Sequence, residues 1–94
     1  MTTVRRLEKK ISRIEGFDVR LRHADGRDVR GDAQIADRFR FERALRNTAN
    51  VRDWKDGRFR LLYDKYEIDV LRADGTKAHG NHLLSTVRDT YLDS

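Results

Sequence analysis

Val4, Leu7, Ile11 and Ile14 recur at helical spacing, and Arg5, Arg6, Lys9, Lys10 and Arg13 fill the rest of the surface. Gly16 follows as a residue suited to stop a helix. The pattern predicts an amphipathic helix over residues 3–15. The period then changes. Phe17, Val19 and Leu21 alternate with Asp18, Arg20 and Arg22, as in a strand buried on one face.

The turn after that strand fixes a register. A two-residue Asp25-Gly26 loop would set Val29 against Arg22, on the polar face. A three-residue Ala24-Asp25-Gly26 loop, closed by glycine in the left-handed region, sets Val29 against Leu21 and keeps the apolar residues together. The passage from Phe17 to Gly26 returns 49 positions later from Tyr66 to Gly75, again ending in Ala-Asp-Gly. The same loop there sets Ala78 against Val70. Gly31-Asp32 answers to Gly80-Asn81, with Ile35 and Leu84 beyond them. Residues 17–35 and 66–84 therefore read as an internal pseudo-repeat: strand, tight turn, return strand, glycine break and capped helix.

Asp32 is expected to cap a second helix carrying Ile35, Phe39, Phe41, Leu45 and Ala49 on one face. Asn81 is expected to cap a third, with Leu84, Val87 and Tyr91 facing inward. Between them, Lys55-Asp56-Gly57 has the composition of a turn. Phe59, Leu61 and Tyr63 alternate as in a strand, although Phe59, Leu62, Tyr63 and Tyr66 also fit a helix. The strand is the reading adopted for residues 58–65. The fold expected is α+β: a single small domain over residues 1–94, an antiparallel sheet built from the repeated hairpins, and about three helices packed on it.

Composition narrows the class. With 37% apolar and 39% charged residues, the chain supports one modest core, and pairing of two copies through an apolar face is a reasonable expectation. The absence of cysteine excludes disulfides and thiolate metal sites. No signal-like stretch opens the chain and no apolar run nears the ~20 residues of a membrane span, so no membrane association is expected and the compartment expected is the cytoplasm. Residues 1–52 hold 14 Lys and Arg against 8 Asp and Glu, whereas residues 53–94 hold 7 against 8. The excess positive charge thus lies in the first half, which suits an anionic partner. Arginine outnumbers lysine 16 to 5, a bias that genome composition alone also produces.

The register places Arg20 opposite Arg30, a like-charge pair that a bound phosphate would relieve; solvation or an acid from elsewhere would do the same. Arg22 lies opposite Asp28. The anion or nucleic-acid contacts expected are Arg5, Arg6, Lys9, Lys10, Arg13, Arg20, Arg22 and Arg30. Trp54, beside Lys55 and Arg58, is the aromatic best placed to stack on a base, and partial core burial is its commoner role. His79 and His82 lack a third ligand, so no metal is expected. Ser12, Ser85 and Ser94 sit in no nucleophile context, and no phosphate-binding loop occurs; neither catalytic residues nor a cofactor is expected. Two functions fit. One is a small basic non-enzymatic binding module that contacts nucleic-acid phosphates through its N-terminal half. The other is a protein-interaction or assembly module, a homodimer or accessory subunit, with its basic face on an acidic protein partner and no nucleic-acid role.

Overall fold

In the computed structural model, which describes residues 1–92, strand β1 (Thr2–Thr3) leads into helix α1 (Val4–Glu15). Strand β2 (Asp18–His23), strand β3 (Gln34–Ile35), helix α2 (Val51–Trp54), strand β4 (Tyr66–Leu71) and helix α3 (Leu84–Asp89) follow. The chain is a small α+β fold with three helices and two antiparallel two-stranded sheets, β1 with β3 and β2 with β4. Asp93 and Ser94 lie outside the described residues, and with them the serine considered at the end of the chain.

Helix α1 forms as its periodicity requires. Thr3 caps it, its side chain accepting from the Arg6 N–H at 3.3 Å. Gly16 ends it at φ 85°, a conformation open to glycine, and its N–H returns to the Ser12 carbonyl at 2.9 Å. Val4, Leu7 and Ile11 are buried against β2, as each apolar stripe of an amphipathic helix must be.

The main sheet departs from the expected hairpins. Its two strands are β2 and β4, with Val19 opposite Val70, Leu21 opposite Ile68 and Arg20 opposite Asp69. Each Ala-Asp-Gly turn does close, with Gly26 at φ 90° and Gly75 at φ 86°. Their return arms, however, contribute only the bridges Arg22 to Asp28 and Leu71 to Lys77. The reason lies in the faces. β2 and β4 each carry a continuous inward row, and pairing them directly joins Val19, Leu21, Ile68 and Val70 in one apolar patch. The return arms offer one inward residue apiece, Val29 and Ala78.

The expected second helix is absent. Residues 36–49 run as irregular backbone, with Phe39 wholly buried and Phe41 and Leu45 packed against the core. Two of its amides are held by side chains from elsewhere: Arg38 N–H donates to Tyr63 Oη at 2.7 Å and Leu45 N–H to Glu15 Oε1 at 3.0 Å. Residues 58–65 are not a strand either. Asn50 and Asp53 form a reciprocal capping box that starts α2. The helix then widens into a π turn over Lys55–Phe59, so Arg60 N–H reaches the Lys55 carbonyl at 2.8 Å. Helix propagation from that cap carries the chain through Asp56-Gly57, where a turn was expected.

Asn81 does not cap α3. Leu83 takes that position with no side-chain bond, and the Ala49 carbonyl accepts from the Leu84 N–H at 2.9 Å. One apolar cluster unites all these elements, with Trp54 at its centre, its ring edge-on to Phe17 at 5.2 Å. Trp54 has no solvent exposure, so it is a core residue and not a stacking surface.

Candidate anion-binding groove

Arg5, Lys9 and Arg13 succeed one another at four-residue intervals, which sets them in a stripe along α1 about 6 Å apart. The stripe borders a groove of about 370 Å³ between α1 and the start of β2, completed by Glu8, Ser12, Asp18 and Val19. Arg5, Arg6, Lys9, Arg13 and Arg20 are exposed and have no carboxylate at ion-pair distance among the described residues. A bound anion would not have to displace an internal partner from any of them.

The other three expected contacts are engaged. Lys10 donates to Asp37 at 2.9 Å and holds that carboxyl below the usual range. Arg22 bridges Asp69, at 2.5 Å, and Asp28, so its guanidinium is held in the charged form. Arg30 meets Asp32 at 3.2 Å, both largely exposed, an ion pair of small value that a stronger ligand can exchange. Arg20 lies directly opposite Asp69 in the sheet. That carboxylate is taken by Arg22 at 2.5 Å and by Lys77 at 3.6 Å, and it forms no ion pair with Arg20.

Two acids line the groove. Asp18 accepts from Ser12 Oγ at 2.6 Å. Glu8 Oε2 accepts from the Leu21 N–H at 2.8 Å, and burial pushes its carboxyl above the usual range. The arrangement can hold an anion at the cationic rim.

A second cluster went unread in the sequence. Glu15 has no exposure; its carboxylate takes Arg58 at 2.7 Å, Arg88 at 3.5 Å and the Leu45 amide. Arg88 Nε also donates to the Glu15 carbonyl at 2.7 Å, and its Nη1 donates to the Leu45 carbonyl at 2.8 Å and to Asn47 Oδ1 at 2.7 Å. Arg58 lies 4.2 Å over the Phe41 ring. These bonds fasten the irregular segment to the core, a structural role. The signal was present: Glu15 stands four residues after Ile11, on the apolar stripe of α1.

A second, smaller depression of about 240 Å³ is bordered by Ile35, Leu62, Tyr63 and Tyr66 together with the polar Arg38 and Lys65. Next in sequence to Leu62, Leu61 is 78% exposed. His79 and His82 approach edge to face at 5.4 Å, and no group of three metal-binding side chains gathers among the described residues. No helix among them is long and apolar enough to cross a membrane. Comparison with known protein families, curated proteins and solved structures yields no match to this chain.

Proposed function

We propose that this protein is a small, basic, non-enzymatic binding module that holds nucleic-acid phosphates along the α1 groove. The observation that carries the reading is the exposed stripe Arg5, Lys9 and Arg13, without an ion-pair partner among the described residues, beside a groove of about 370 Å³. Such contacts fix position and affinity and read little sequence. Arg6 and Arg20 flank the stripe and extend it.

Anisotropy of labelled duplex DNA, single-stranded DNA and RNA, each titrated at rising salt, tests this. Affinity falls steeply with salt, because each neutralised phosphate releases counterions. Lys9→Glu and Arg13→Glu weaken all sequences alike. Binding indifferent to salt, or none at low salt, retires the reading.

A second reading draws on the depression beside Tyr63 and the exposed side chain of Leu61. Under it, this mixed apolar and polar face docks a protein partner or a second copy. Sedimentation as a monomer at all concentrations, unchanged by Leu61→Glu, speaks against the second copy.

We also read residues 17–35 and 66–84 as two copies of one unit. Matching backbone bonds support this: Val4 N–H to Ala33 O and Arg5 N–H to Gly31 O in one half, Val51 N–H to His82 O and Arg52 N–H to Gly80 O in the other. The register of β2 with β4 is the one that a two-fold axis through Arg20 and Asp69 would impose.

A further inference from the structure

We propose that Glu8 is a charge gate for the α1 groove: its carboxylate opposes a bound phosphate, and neutralising it raises the affinity of the groove for polyanions. This rests on reading the groove as a phosphate site.

The geometry sets the conflict. The Glu8 side chain leans from α1 onto β2, where Oε2 takes the Leu21 amide at 2.8 Å. That contact fixes the carboxylate in the groove rather than letting it swing into water. Arg5, one turn earlier on α1, and Arg20 on β2 are the cations that act on it. Lys9, Arg13 and Asp18 are the other charged groups of the groove. Asp18 is occupied at the open end by Ser12. Glu8 therefore stands among the cations that a phosphate would use, and it takes part of their field.

The carboxylate is held there at a cost. Burial works against its charge more than the Leu21 amide, Arg20 and Arg5 favour it. A protonated carboxyl keeps an oxygen for the Leu21 amide and removes the repulsion toward an incoming anion. Acidification therefore turns the groove from a partly self-neutralised site into a wholly cationic one. Histidines also gain charge as pH falls, so a pH slope alone does not identify Glu8, and a neutral variant at fixed pH does.

The test uses a rhodamine-labelled oligothymidylate, whose phosphodiesters and bases keep their charge over the range. Its affinity for the full chain is measured for the wild type, Glu8→Gln and Lys9→Gln at low salt. The glutamine keeps an acceptor for Leu21, and circular dichroism checks the fold. Near neutral pH, Glu8→Gln binds about three- to tenfold tighter than wild type, the scale of one like charge removed at a few ångströms in a partly wet site. Wild type approaches the variant as pH falls into the carboxylate range, where the variant's lead shrinks. If Glu8→Gln binds equally or more weakly near neutral pH while Lys9→Gln still weakens binding, the gate is overturned and the groove reading stands. If nothing binds, or Lys9→Gln binds as tightly as wild type, the groove reading fails and the gate with it.

Discussion

Arg58 Nη1 donates to the carboxylate of Glu15 at 2.7 Å, and the carboxylate has no contact with solvent. Removing the acid would leave Arg58 and Arg88 without their counter-charge, at 15% and 17% exposure, and would orphan the Leu45 amide. Glu15→Ala should cost about 3 kcal/mol, the low end for breaking a buried pair, because both arginines retain some water. Urea denaturation measures the loss. Hydrogen exchange should show residues 40–48 loosening first.

Trp54 lies wholly buried, and its indole N–H has no acceptor among the described residues. Two effects therefore oppose each other on substitution. Trp54→Phe loses some packing but sheds an unpaired donor worth about 1–3 kcal/mol. Its net change in melting temperature should be small. Trp54→Ala has no such offset and should cost about 3–5 kcal/mol. A fall as large for phenylalanine as for alanine would show that the donor is satisfied.

Burial raises the phenols of Tyr63 and Tyr91 above their usual value. Both donate inward, Tyr63 to the Ala36 carbonyl at 2.7 Å and Tyr91 to the Leu71 carbonyl at 2.5 Å. The folded state holds these protons more tightly than the unfolded chain. Their stabilisation is complete below the unfolded value near 10 and is lost as pH rises through the folded values. Melting temperature should decline with pH only above about 10. In a Tyr63→Phe and Tyr91→Phe double variant, that alkaline decline should flatten, although the starting stability is lower.

The pairing of the cations sorts their contribution to binding. Lys9 and Arg13 have no ion-pair partner among the described residues, whereas Lys10 and Arg22 already hold Asp37 and Asp69. Lys9→Gln and Arg13→Gln should each lower the logarithmic salt slope by about 1. Lys10→Gln and Arg22→Gln should leave the slope nearly unchanged. Salt titration of nucleic-acid binding separates the two groups.

Much of the fold was legible where one period ruled. Val4, Leu7 and Ile11 gave α1, and the alternations of Phe17–Leu21 and Tyr66–Val70 gave β2 and β4. Leu84 and Val87 gave α3, and only its cap was misplaced. The segment after Ile35 misled because its apolar residues fit a helix by chance. Its backbone is held by Tyr63 and Glu15, partners that no local pattern announces. The π turn hid behind a broken period: Trp54 and Phe59 are five apart yet share the core. At the groove, the sequence supplied the charges but not their partners. It therefore grouped Lys10 and Arg22 with Lys9 and Arg13, and it left Glu15, the buried anchor, unread.

The pairing of β2 with β4 has a cost in time. Asp18 must find Leu71, and His23 must find Tyr66, 53 and 43 residues further along the chain. Contacts so distant in sequence form late, because the loop must close before the sheet rewards it. On a ribosome, β2 emerges and waits without its strand partner, a bare edge of the kind that invites aggregation. Glu8 and Leu21 lie only thirteen residues apart, and the Leu21 N–H faces the side of β2 away from β4, as the His23 N–H does, so the helix can close that opposite edge long before β4 exists. Helix α1 thus leaves β2 with one open edge while it waits, the edge that β4 later fills.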